Sequence, residues 1–162
     1  MSIKINWAEW WRRWFDASEK RYRAVVNVLC HRYVDEKQHA ARLNQHAEKM
    51  RYPQFREALR RIAADESKHA DWIAKKIEAL GGMLPAVTEV RSQQKNSWQY
   101  LLEDLEEERR CSADLEDDML AIRSDYPDVD ELLGRIDEEE RKHRDEIREM
   151  LMRSDPQASS FG

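Results

Sequence analysis

Cysteine, glycine and proline are all scarce in this 162-residue chain, which holds 2 Cys, 4 Gly and 4 Pro. Cys30 and Cys111 stand 81 residues apart with no second cysteine near either, which excludes a zinc knuckle, a thioredoxin-type pair and a rubredoxin-type iron site. Free thiols suit a reducing compartment. So few glycines and prolines leave room for long helices and few connections. No apolar run reaches the length of a membrane span, and Met1-Ser2-Ile3-Lys4-Ile5-Asn6 lacks the apolar core of a signal peptide, so the cytoplasm is the expected location. A basic stripe is also missing: the net charge is -5, and Arg alternates with Glu and Asp, so no nucleic-acid footprint is present. Charged residues make up 38% of the chain, yet the apolar residues recur at helical period, which argues against disorder.

The chain divides into an amphipathic Trp-rich segment (1–17), a helical bundle (18–153) and a flexible tail (154–162). Trp7, Trp10, Trp11, Trp14 and Phe15 crowd one side of a short helix expected to cover one end of the bundle or to seal a dimer. Asp16, Ser18 and Glu19 suggest a break there, with the first long helix starting near residue 18 and running to about Met50. Tyr52-Pro53 ends it, because a residue before proline avoids the helical region, and Pro53 can serve in the first turn of a second helix that stops at Gly81-Gly82. Residues 83–94 read as extended; about twelve residues at about 3.3 Å each span about 40 Å, enough to carry the chain back along the bundle. A third helix covers about 95–124, Tyr126-Pro127 closes the second hairpin, and a fourth helix occupies about 128–153. The fold expected is therefore all-α, a four-helix bundle of two repeated αα-hairpins. The repeat is visible directly: residues 52–73 set over 126–147 share 11 identical positions of 22.

Ionisable residues occupy core positions of this bundle. Leu59, Ile62, Glu66, His69, Ile73 and Leu80 form one apolar-spaced stripe; Val129, Leu133, Ile136, Glu140, His143, Ile147 and Met150 form its echo. Glu66/His69 and Glu140/His143 are each three residues apart on one helical face, where carboxylate and imidazole can bind one metal ion together. Glu36 falls on the stripe of the first helix, and Glu108 fills a gap in that of the third. A seven-residue frame picks Glu108 from Glu106-Glu107-Glu108, although the second hairpin must then be longer than the first, so Glu107 stays an alternative. Burying bare carboxylates is costly unless they are paired, protonated or metal-bound. One Glu from each of two helices plus a Glu-x-x-His from each of the others is the ligand pattern of di-iron and di-manganese carboxylate bundles. His39 and His46 lie at the stripe's edge as outer partners or additional ligands; His31 reads as surface, Cys111 as a small buried residue, and Tyr33 and Tyr100 as core tyrosines near the metal layer.

Glu36-Lys37-Gln38-His39-Ala40, Tyr52-Pro53, the run Ile62 to Ala70 and Leu80-Gly81-Gly82 resemble the first half of a ferritin-like protein of the rubrerythrin group, and Glu140-Arg141-Lys142-His143 resembles its last helix. The resemblance spans about residues 20–153. It implies a non-haem di-iron centre, with Mn as the other metal these donors accept, in which Glu36, Glu66, Glu108 and Glu140 are the carboxylate ligands and His69 and His143 the nitrogen ligands. It further implies an oxidoreductase that reduces hydrogen peroxide or dioxygen. The Cys-ligated electron-feeding domain of full-length rubrerythrins has no counterpart in these cysteines, so electrons are expected from a separate donor protein. An additional carboxylate that some members carry in the third helix has only Glu107 or Asp104 as a loose counterpart. Two other functions compete: a ferroxidase that stores or buffers iron, and an interaction module that keeps the bundle without turnover.

Overall fold

Four helices account for the architecture of the computed structural model: α1 (Trp7–Lys49), α2 (Pro53–Ala79), α3 (Ser97–Ile122) and α4 (Pro127–Arg153), with no strand among the described residues. The structure describes the backbone of residues 7–122 and 125–157, and side chains from Phe15 onward within those spans, residue 121 excepted. The Trp7, Trp10, Trp11 and Trp14 side chains and residues 158–162 lie outside the described set.

The two hairpins close as the Tyr-Pro pairs predict. Pro53 and Pro127 sit at the start of α2 and α4, where a missing N–H costs nothing, and Tyr52 and Tyr126 precede them in non-helical conformations. The expected break at residues 16–18 does not form: α1 is continuous from Trp7, and Ser18 returns its hydroxyl to the Phe15 carbonyl at 2.9 Å. A serine caps a helix only when the chain before it turns away; inside a helix its hydroxyl bonds back to an earlier carbonyl instead.

α2 ends at Gly81, whose φ of +79° is the left-handed conformation that glycine adopts without strain. Gly82 is held by contact: a Cβ there would lie 2.9 Å from Ile77 Cγ2, 3.2 Å from the Ile77 carbonyl and 3.2 Å from Val26 Cγ1. Gly82→Ala is therefore expected to lower stability by about 1–3 kcal/mol through overpacking, read as a reduced urea midpoint with unchanged slope.

From Gly82 the chain crosses over along α1. Cys30 Sγ meets the Met83 carbonyl (3.7 Å), Gln38 donates to Thr88 (3.4 Å), and Gln45 both donates to the Val90 carbonyl (2.6 Å) and accepts from the Ser92 N–H (2.9 Å). The Arg51 N–H then donates to Ser97 Oγ at 3.0 Å, so the crossover travels the length of α1 before α3 begins. The helices consequently run up, down, down and up, with α1 antiparallel to both α2 and α3, and α4 antiparallel to both as well.

The core has two apolar ends. Leu43, Met50, Leu59, Ile62, Leu101, Leu105 and Ile147 fill one, and Val25, Leu29, Ile73, Ile77, Leu115, Leu133 and Ile136 fill the other. Between them lies a layer of buried polar groups: Glu36, Glu66, His69, Glu108, Glu140 and His143, each 4% exposed or less. Trp98 and Met119 of α3 are only half-buried. Part of the tail expected to be loose is tied down: Asn96 donates to the Pro156 carbonyl at 3.0 Å, and the Asp155 N–H reaches the Tyr52 hydroxyl at 3.3 Å.

Candidate metal centre

Mid-helix placement in four helices brings the six expected residues into one layer. Glu66 is its hub. His143 Nδ1 lies 2.9 Å from Glu66 Oε1, and His69 Nδ1 lies 3.4 Å from Glu66 Oε2 and 3.5 Å from Glu36 Oε2. Glu108 Oε1 is 4.0 Å from His143 Nδ1. The two imidazoles face each other with ring centroids 6.0 Å apart.

The outer nitrogens repeat the internal symmetry. His69 Nε2 lies 3.1 Å from Glu139 of α4, and His143 Nε2 lies 3.5 Å from Asp65 of α2. Asp65 and Glu139 are equivalent positions of the repeat, and Lys68 Nζ joins them at 2.9 Å from each. An N–H donated outward to a carboxylate fixes the ring and leaves Nδ1 as the inward electron-pair donor, the usual support for a metal-binding histidine.

Electrostatics set Glu66 apart from its neighbours. Burial works against its ionisation, but hydrogen bonds from His143 and His69 outweigh it and hold the carboxyl well below its ordinary range. Burial and the Glu66 charge push Glu36 and Glu108 well above that range, and push Glu140 to about 7. Burial lowers His69, yet the Glu36 and Glu66 carboxylates beside it raise it to about 11. Glu36 Oε2, Glu108 Oε1 and Glu140 Oε2 are buried without a hydrogen-bond partner. Buried polar atoms are almost always satisfied, so three orphaned carboxylate oxygens in one layer fit a cationic occupant.

Among the described residues, two sets of side chains bring their donor atoms within 4.8 Å of one another, as one metal ion requires: Glu36, Glu66 and His69, and His39, Glu66 and Glu108. Glu66 belongs to both. On α3, Glu108 lies in the layer, whereas Glu107 turns outward to Arg42 (2.9 Å) and Arg110 (2.8 Å). His39, expected at the edge of the stripe, is 4% exposed and inside the layer. His46 lies outside it, bonded to Asp104 (2.7 Å) and to Ser92 Oγ of the crossover (2.8 Å). The His31 side chain is 61% exposed, as expected. Tyr100 is buried in the apolar end and hydrogen-bonds the crossover, donating to the Gln93 carbonyl and accepting from the Lys95 N–H.

The family model for rubrerythrin matches residues 27–151. The chain belongs to the rubrerythrin family. No curated protein matches the sequence. Among solved structures, this rubrerythrin-family chain is similar to the Desulfovibrio desulfuricans bacterioferritin, whose diiron site was captured in different catalytic states, with a TM-score of 0.74, 24% identity and coverage of 83% of this chain and 81% of that one. It is also similar to Dps92 from Deinococcus radiodurans (TM-score 0.75, 14% identity, 85% and 92% covered). A dodecameric thioferritin from Bacteroides fragilis is a third relative in structure (TM-score 0.74, 16% identity, 81% and 86% covered). The fold is a ferritin-like four-helix bundle, and its buried carboxylates and imidazoles are compatible with a metal site. None of the helices among the described residues is long and apolar enough to cross a membrane.

Proposed function

We propose that this rubrerythrin-family protein is a cytoplasmic di-iron oxidoreductase that reduces hydrogen peroxide or dioxygen with electrons from a separate donor protein. The observation that carries this reading is the pair of metal-compatible groups sharing Glu66 in the middle of a ferritin-like bundle. Glu36, Glu66, His69, Glu108, Glu140 and His143 would hold the two ions, with Mn accepted by the same donors. When bound, two irons supply reversible two-electron redox chemistry at a dry site.

The protein's own groups do the rest. Glu66 stays ionised and holds both imidazoles in place. Glu139 and Asp65 orient the two rings from outside. In the metal-free protein Glu140, pushed to about 7 and with Oε2 4.0 Å from the Arg144 guanidinium, holds its proton up to near neutral pH and gives it up when an ion binds. The two apolar ends keep water away from the layer, so charge interactions there are strong.

Likeness to a bacterioferritin, a Dps protein and a dodecameric thioferritin favours iron storage as a second reading. Two measurements separate them. Peroxide consumption by iron-loaded, pre-reduced protein that elutes as a dimer supports the peroxidase. Elution at many times the 19.4 kDa of one chain, with iron uptake far beyond the centre's own complement, supports storage and overturns it.

A further inference from the structure

We propose that His39 is a third nitrogen ligand, serving only the metal position beside Glu108, so that the two halves of the centre are chemically unequal. The inference rests on the two-metal reading above and goes beyond the four-Glu, two-His set. In an Nδ1-donating pair of Glu-x-x-His motifs, each ion would receive one imidazole. His39 lies one turn after Glu36 and so forms a third such motif, on α1. It does not turn back to Glu36's side of the layer. Its donor atom groups with Glu66 and Glu108, and Nδ1 is 3.9 Å from Glu108 Oε1. His143 reaches the same side, 2.9 Å from Glu66 and 4.0 Å from Glu108. His69 serves the other, with Glu36 and Glu66.

His39 Nε2 is buried without a hydrogen-bond partner, in a side chain 5% exposed. No protein group among the described residues bonds that nitrogen, so the ring can turn to present either nitrogen to an ion beside Glu66 and Glu108. No counterpart restores symmetry on α3. In the shared seven-residue frame Glu36 corresponds to Glu108, and His39 therefore to Cys111. Among the described residues no metal-compatible group includes Cys111. Its Sγ lies 4.0 Å from the Arg110 guanidinium, and burial pushes the thiol upward, away from the thiolate that would bind metal. One position is thus carboxylate-rich with one imidazole, and the other carries two. Extra imidazole favours later first-row ions over Mn, so the positions should fill in sequence.

The test is anaerobic titration of the metal-free full-length protein with Co2+, followed by visible absorption and by equilibrium dialysis, on the parent, His39→Ala, His39→Gln and Cys111→Ser. The parent should take up two ions in two resolved steps. Both His39 variants should weaken the tighter step at least tenfold, the lower bound even for losing an outer partner, and leave the other step in place. Cys111→Ser should follow the parent. Circular dichroism checks folding, with the Gln variant preserving volume if Ala does not fold. Parent-like titration of the His39 variants overturns the inference and leaves the two-metal centre standing. Loss of both steps in those variants, with the helical signal intact, overturns it in favour of a general structural role. A parent that binds neither Co2+ nor Fe2+ overturns the two-metal reading itself.

Discussion

Replacing Glu66 with alanine is expected to empty the centre, taking metal content from about two ions per chain to background. The reason is its position. Glu66 belongs to both metal-compatible groups, and each of its two oxygens faces a different histidine. Glu36 and Glu108 each touch one side only. Loss of a carboxylate from one side removes a ligand, whereas loss of Glu66 removes one from each side and releases His69 and His143 together. His143→Ala should be milder, weakening one position while Glu36, Glu66 and His69 remain. The measurement is elemental analysis of protein purified without added metal, followed by anaerobic ferrous uptake. A parent that arrives empty and refuses ferrous iron would leave a bundle with a buried polar layer, the interaction-module reading. In the metal-free state the same substitution has a second effect. The Glu66 charge helps hold Glu36, Glu108 and Glu140 in their protonated forms, so its removal should let all three ionise at lower pH.

Much of this centre was legible from residue spacing because a helix repeats a face every three to four residues and a carboxylate on an apolar face is conspicuous. Glu66, His69, Glu140 and His143 were visible in that way, and the Tyr-Pro pairs located both hairpin turns. His39 was placed only at the stripe's edge, for a geometrical reason. A helix in a four-helix bundle touches two neighbours, and spacing alone does not say how far round the circumference burial extends; His39 faces Glu108 of α3. Asp104 is legible by the same spacing, one turn from both Leu101 and Glu108, but it is fully buried against His46 rather than in the layer. Arg32 was similarly legible by spacing, between Leu29 and Glu36. Arginine reads as surface, yet this one is 1% exposed, donating to the Cys111 carbonyl at 3.0 Å and lying 3.3 Å from Asp118. The helix start failed because a capping residue reports what it can do at a break, not whether the chain breaks.

Metal-free protein is expected to lose stability as pH rises, while the iron-loaded protein does not. Glu140 titrates near 4.5 unfolded and at about 7 folded, so between those values the folded state holds a proton that the unfolded state has released, and stability falls by about 3 kcal/mol across that window. Glu36 and Glu108, raised further, act with the same sign. His69 does too: its contribution is full below 6.5 and is lost as pH climbs toward about 11. Glu66 opposes them, as do Glu107, Glu139 and Asp128 outside the layer, since a lowered carboxyl stabilises above its unfolded value and loses that contribution only in acid. The metal-free protein should therefore be most stable in mildly acidic buffer. From pH 5 to 8, its melting temperature should drop by roughly 6–12 °C from the Glu140 contribution alone. Metal reverses the sign, because ions bind the deprotonated carboxylates and compete with their protons; affinity, and with it the stabilisation by bound iron, grows as pH rises. Melts of chelator-treated and iron-loaded protein at pH 5, 6, 7 and 8 check this. A chelated protein whose melting temperature is flat or rising would mean that Glu36, Glu108 and Glu140 are already compensated without metal. Divergence of the two curves would tie the burial of these carboxylates to the ion they hold: the layer destabilises the bundle in proportion to its ionisation, and the same ionisation makes it a ligand set.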